Sequence, residues 1–178
     1  ADGARAAEVV AEVSSDLGPV DTLINNAGIG GDAHSFQESD LDALRRIMEV
    51  NVLGTMAYTR TVLPAMTARK SGTIINMGSY TGVRALPPAV GYATSKAALV
   101  RFTDSVAEGV RDTGVLLFTV SPGMVDTDMT RGIDLEKLLP GVAFTPISEI
   151  GRLVQGLLTK DVAALSGRFV HVTDDLDE

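Results

Sequence analysis

Tyr92 and Lys96 are the pair from which chemistry can first be read. A spacing of four sets both on one helix face, with side chains one turn apart. A free phenol titrates near ~10, so it exchanges protons poorly at neutral pH unless its anion is stabilised. An ammonium close by supplies that stabilisation. In a chain with three tyrosines and four lysines, the pair alone equally describes a solvated helix face. Its company is what carries weight. Ser79 lies thirteen residues before Tyr92, just past a run that reads as a strand. Asn51 sits inside a long helical stretch, where its amide competes with the backbone. Asn25-Asn26-Ala27-Gly28 closes one strand, and Pro122-Gly123, then Thr127, closes another.

The elements that must position these residues follow from apolar spacing. Asp2 caps a helical run of Val9, Val10, Val13 and Leu17, and Gly18-Pro19 stops it. Residues 20–25 read as a short strand. Ser39 or Asp40 starts one long helix reaching to about Ala68, with Pro64 late in it. Residues 73–77 form a second strand, 92–111 a helix, and 115–120 a third strand. A helix near 148–158 and a strand at 168–172 complete the pattern. Continuous apolar strands alternating with longer helices predict an α/β fold, a doubly wound parallel sheet covered on both faces. Ligands in such sheets sit beyond the carboxyl ends of the strands. Asn25 to Gly28, Ser79, and Ser121 to Gly123 all fall there.

Composition narrows the functions. The 178 residues suit one domain, and 45% of them are apolar, enough for a sizeable core. The net charge of -8 and the lack of a basic run argue against a nucleic-acid partner. The longest apolar run, 115–120, is far short of a membrane helix, so no membrane partner is expected. Cysteine is absent, which excludes thiol catalysis and thiolate zinc sites within these residues and is compatible with a cytoplasmic location.

Taken together, these motifs resemble the short-chain dehydrogenase/reductase family over essentially the whole chain. The resemblance rests on Asn-Asn-Ala-Gly at 25–28, Asn51-Val52-Leu53-Gly54, Asn76-Met77-Gly78-Ser79, Tyr92-Ala93-Thr94-Ser95-Lys96, and Pro122-Gly123-Met124-Val125-Asp126-Thr127. It implies a Rossmann-like sheet and an oxidoreductase that moves a hydride between NAD or NADP and a secondary alcohol or ketone. Tyr92 would be the general acid/base, and Ser79 would hydrogen-bond the same substrate oxygen. Lys96 would bind the nicotinamide ribose and lower the Tyr92 pKa. Asn51 would hold a water linking Lys96 to solvent. Asn25, Ala27 and Gly28 would lie along the adenosine side of the cofactor. Pro122, Gly123, Val125 and Thr127 would touch its nicotinamide half.

The family's glycine-rich phosphate loop, T-G-x-x-x-G-x-G, has no counterpart in these residues. The resemblance therefore implies that 1–178 is the C-terminal two-thirds of a single domain, lacking the first three strands, with an apolar strand edge at 20–25. Two other functions compete. One is a truncated relic or interaction module without catalysis; the other is a sugar-nucleotide epimerase or dehydratase, whose relatives also space Tyr and Lys by four. A homodimer or homotetramer is expected by resemblance, through the helices at 41–68 and 92–111, whose Val62, Leu99 and Val106 face either a partner or this chain's own sheet. His34 reads as a surface loop residue and His171 as packed or exposed in the last strand. The acids Asp174, Asp175, Asp177 and Glu178 read as solvated, so no metal site is expected. Apolar residues between Met129 and Thr145 suggest a lid over a small-molecule substrate, and Leu86-Pro87-Pro88 a second wall.

Overall fold

The computed structural model describes residues 2–31, 35–85, 89–131 and 134–176. Four parallel strands form one sheet in the order β1-β2-β3-β4: Thr22–Asn25, Gly72–Met77, Val115–Ser121 and Phe169–His171. The first helix, α1 (Gly3–Leu17), begins at Asp2, whose carboxylate accepts from the Ala4 and Arg5 amides at 3.0 and 3.1 Å. It ends at Gly18 with φ of 93°, a conformation that favours glycine.

Alternation along the strands explains the two-sided core. Val115 and Leu117 of β3, with Ile74 of β2, pack against Val62 and Met66 of α3 (Thr55–Arg69) and Ala107 of α4 (Val90–Gly109). Phe118 and Val120, with Ile75, face the other way, onto Leu153 and Leu157 of α6 (Ile147–Thr159). A parallel sheet buried on both faces needs strands apolar at successive positions, which is how β3 reads. The expected α/β class holds, with the sheet covered on both sides.

Two differences from the sequence expectations matter for the site. The long helix expected from 39 or 40 to 68 is three pieces on one path: α2 (Leu41–Met48), a π-helical turn at Glu49–Gly54, and α3. Such wide turns hold an extra residue and are common at functional sites. The irregular stretch after β3 contains a one-turn helix, α5 (Leu135–Leu138).

A row of polar residues crosses the sheet. Asn25, Asn76 and Thr119 are in register on adjacent strands, on the face toward α3 and α4. Asn25 Nδ2 donates to Asn76 Oδ1 at 2.8 Å and to Thr59 Oγ1 of α3 at 3.2 Å. Asn76 Nδ2 donates to Thr103 Oγ1 of α4 at 2.9 Å, and Thr103 in turn to Leu99 O at 2.8 Å. Buried polar groups are tolerated when so paired. Thr119 Oγ1 has no partner among the described residues.

β1 pairs with β2 alone among the described strands, and Ile24 on its far face is 44% exposed. Of the two placements open to Val62 and Leu99, a partner's surface or this chain's own sheet, the structure shows the second: they are 2% and 1% exposed inside the core. They point at the sheet because helix positions so spaced meet its apolar face. Val106 is also packed against that core. The outward apolar surface of α3 and α4 is a shallow groove of about 610 Å³ lined by residues including Met56, Leu63 and Phe102.

Phe118, with no exposed surface at the centre of β3, is the residue whose truncation should cost the core most. Phe118→Ala is expected to destabilise the protein by about 3–5 kcal/mol, read as a fall in the urea unfolding midpoint.

Candidate active site

The carboxyl ends of β1, β2 and β3 meet the first turns of α4, and the sequence-identified residues collect there. Tyr92 and Lys96 lie in those turns, and the Lys96 Nζ is 5.5 Å from the centroid of the Tyr92 ring. Ser79 leaves the end of β2 and caps the short turn Tyr80–Gly82. That turn rests directly on α4: a Cβ at Gly82 would come within 2.8 Å of the Lys96 carbonyl carbon. No larger residue permits this approach, which brings Ser79 beside the phenol.

Lys96 is 5% exposed, and its ammonium donates to Met77 O, the last carbonyl of β2, at 2.7 Å. Burial disfavours the charged form and lowers its pKa from an ordinary 10.5 to about 8. One backbone acceptor leaves an ammonium with donor capacity unused. It points toward the loop after β1, 3.6 Å from where a Cβ at Gly28 would stand. A partly paired, buried ammonium beside a glycine-lined loop fits a ligand carrying hydroxyls, such as a ribose.

Tyr92 is also largely enclosed. Burial pushes its phenol above the ordinary 10.0, and the hydrogen bond with the Ser79 side chain acts in the lowering direction. The expected lowering by Lys96 is therefore not the dominant influence in this arrangement: the ammonium approaches the ring face and is held by Met77 O, while enclosure of the phenol prevails.

Asn51 occupies the π turn with no exposed surface. Its Oδ1 accepts from Ile29 N at 2.8 Å, and its Nδ2 donates to Ile29 O at 3.0 Å and to Ser95 Oγ at 2.9 Å. Ser95 Oγ donates onward to Tyr92 O at 2.7 Å. Asn51 thus ties the Gly28 loop to α4 through side-chain bonds, where a water-holding role was expected. A Cβ at Gly28 would lie 3.4 Å from Asn51 Oδ1, so the loop is seated closely over both Asn51 and Lys96.

The remaining candidates are placed differently. Asn25 spends its amide on the polar row beneath the site, so its side chain holds the fold. Ala27 is exposed in the loop above. Pro122 to Thr127 leave β3 at the same sheet edge, and their contacts run to residues 130 and 145 and to Val172. Gly123 has φ of 74° and abuts Thr145, Thr145 N donates to Met124 O at 2.6 Å, and Thr127 N donates to Thr130 Oγ1 at 2.9 Å. Met129 reaches back over Gly30, whose Cβ would lie 3.6 Å from its Cγ. Val142 and Phe144 are exposed at 43% and 44%. His171 packs against Tyr80, ring centroids 5.3 Å apart, and its Nδ1 is 2.9 Å from Ser121 Oγ. Asp174 accepts from His171 N at 2.7 Å. His34, Leu86, Pro87, Pro88, Ile133, Asp177 and Glu178 lie outside the described residues.

Two hydroxyl residues at the site escaped the sequence reading. Ser95 and Thr81 each sit within three residues of a singled-out position. A small hydroxyl residue beside a catalytic motif is too common to stand out without the fold.

Comparison with known proteins identifies the family. A family model described as short chain dehydrogenase matches residues 1–137. A 3-oxoacyl-(acyl-carrier-protein) reductase of Vibrio cholerae is 32% identical over 170 residues, covering 92% of this chain and 69% of that protein. The chain belongs to the short-chain dehydrogenase family. A short chain dehydrogenase of Pseudocercospora fijiensis is 41% identical over 125 residues, 70% of this chain, and the aligned part spans only 40% of that relative. A solved gluconate 5-dehydrogenase of Burkholderia cenocepacia, in complex with NADP and tartrate, superposes with a TM-score of 0.88 at 24% identity. It is covered to 69%, and this chain to 96%. That similarity extends to the fold. Among the described residues of this short-chain dehydrogenase, no helix is long and apolar enough to cross a membrane.

The depressed Lys96 pKa makes a statement about stability. Between about pH 8 and pH 10, the unfolded chain holds a proton on this lysine that the folded chain has lost, so stability rises with pH through that window. Above pH 10 the raised Tyr92 pKa acts in reverse, because the unfolded phenol ionises first. Urea midpoints measured across pH 8–10 without added ligand should climb more steeply in the wild type than in Lys96→Met. Equal slopes would mean that Lys96 titrates alike folded and unfolded.

Proposed function

We propose that the protein is an NAD(P)-dependent oxidoreductase acting on a secondary alcohol or ketone. The observation that carries this reading is the convergence on one phenol of Ser79 from β2 and Lys96 from α4, within an enclosed strand-end site. NAD(P), when bound, supplies or accepts the hydride. Everything else in the reaction falls to the chain. Lys96 directs its unused hydrogens to ribose hydroxyls, and Gly28 leaves the space beside it open. The loop Asn25 to Gly28 lines the adenosine side, and Pro122, Gly123, Val125 and Thr127 border the nicotinamide half.

In the reducing direction Tyr92 delivers its proton to the substrate oxygen while Ser79 donates a hydrogen bond to that oxygen, where negative charge gathers. In the oxidising direction Tyr92 must receive the proton. Enclosure alone sets the phenol too weakly acidic for this, so an ammonium brought nearer its oxygen is needed. Lys96 is four residues away on the same helix face and swings about a flexible stem. Asn51 keeps α4 and the cofactor loop in register while this happens. The relatives support the substrate class by name: a 3-oxoacyl reductase acts on a ketone, and a gluconate 5-dehydrogenase on a secondary hydroxyl.

The test is reduction of a ketone panel, beginning with ethyl acetoacetate, by NADPH and by NADH in the full-length natural protein. Tyr92→Phe should lower turnover by about a thousandfold while leaving nicotinamide binding, followed by its fluorescence, nearly unchanged. Turnover that survives this substitution would remove Tyr92 from proton transfer.

A further inference from the structure

The Ser79 hydroxyl has one hydrogen and two acceptor positions. Thr81 approaches it twice, with its backbone N–H at 3.3 Å and its own hydroxyl, as donor, at 3.1 Å. When both are donated, the acceptor positions of Ser79 are filled and only its hydrogen is free to leave the turn. That hydrogen is the one left for the Tyr92 oxygen, in keeping with the lowering influence of the Ser79 side chain on the phenol. The opposite polarity, with the phenol donating to Ser79, would stabilise neutral tyrosine and hold back proton exchange.

We propose that Thr81 is a positioning residue that fixes the Ser79 hydroxyl as a donor toward the Tyr92 oxygen and the substrate oxygen beside it. The inference rests on the catalytic reading of Ser79 and Tyr92 given above, and it assigns to a third residue the direction of their hydrogen bond. The turn that carries Thr81 is held in place on its own account. Gly82 N donates to Ser79 O at 2.9 Å, and Val83 N and Arg84 N donate to Tyr80 O at 3.1 and 3.0 Å. Gly82 is seated on the Lys96 backbone, so the turn cannot slide away from α4. Thr81 therefore meets Ser79 at a fixed distance.

The chemistry expected of this arrangement is one-directional. A hydroxyl locked as a donor strengthens as negative charge develops on its partner, which is the requirement at a carbonyl oxygen receiving hydride. A freely rotating serine would have to be reoriented in each turnover. The Thr81 amide remains in any substitution, so removing its side chain unlocks one of the two acceptor positions.

The experiment reads the ionisation of Tyr92 directly, without substrate or cofactor. Tyrosinate absorbance is titrated in the full-length protein, with ring-fluorinated tyrosines incorporated to bring the phenols below the range where alkali unfolds the chain. The component missing from Tyr92→Phe belongs to Tyr92. The charged group in contact with it, Lys96, is present in every variant. Thr81→Val keeps the shape and removes the hydroxyl, and it should raise that ionisation by about half a pKa unit. Thr81→Ala, a second hydroxyl-free variant, should move it in the same direction. Thr81→Ser restores the hydroxyl and should return the wild-type value, which a role in packing alone would not produce. Ser79→Ala sets the full size of the effect. If Ser79→Ala shifts Tyr92 and Thr81→Val leaves it at the wild-type value, the role of Thr81 is overturned and the catalytic reading stands. If neither substitution moves it, both the role of Thr81 and the Ser79–Tyr92 bond used in that reading fall.

Discussion

An ammonium enclosed in a protein must find an acceptor, and the acceptor that Lys96 finds is the last carbonyl of β2. Most of the site follows from that requirement. The bond holds the first turns of α4 against the end of the central strands. With α4 so placed, Tyr92 stands over the start of the next turn, where Ser79 emerges from β2. The residue that binds α4 to the sheet is thus the same one whose charge bears on the phenol. With its pKa lowered only to about 8, the group is still mostly an ammonium near neutral pH, with one strong backbone acceptor and a glycine-lined space on its other side.

Asn51 solves the complementary problem on the far side of the site. A helix presents side chains only at the angles its repeat allows, and a regular helix from 41 to 69 would fix Asn51 relative to its neighbours on that repeat. The π turn widens the path locally. Asn51 then faces Ile29 as a strand would, accepting from one backbone group and donating to the other. The loop above the site is held by this pair of bonds to Ile29. Distant parts of the chain, 25–31 and 92–96, become one unit through a single amide.

Much of this was legible before the fold was known. The strand ends were marked by Asn, Gly and Pro where apolar runs stopped, and Tyr92 with Lys96 was visible through helix spacing. What escaped has physical causes. Residue preferences distinguish helix from turn but are silent on which turn holds an extra residue, so the break at 49–54 could not be seen. Thr81 and Ser95 gain their meaning from atoms brought near by tertiary contact. The side on which Val62 and Leu99 lie stays open in the sequence because helical spacing defines a stripe without saying which side the sheet lies on. The pKa of Tyr92 depends on how fully the phenol is enclosed, a property of the packed molecule alone.

The polar row beneath the site has a consequence for motion. An outer strand commonly frays before the strands inside it. β1 is joined at its carboxyl end not only by its ladder to β2 but by Asn25, whose amide reaches Asn76 in the neighbouring strand and Thr59 on α3. To peel away, it would have to strand buried amide and hydroxyl groups at once on a strand and on a helix, with the Asn76–Thr103 bond next in line. The Asn25 end of β1 should therefore open only when the middle of the sheet opens, and its amide protons should exchange with solvent at the pace of the interior. The loop that follows therefore hangs from a strand end fastened to both the sheet and α3, and it keeps its place over Lys96 for as long as the interior stays closed.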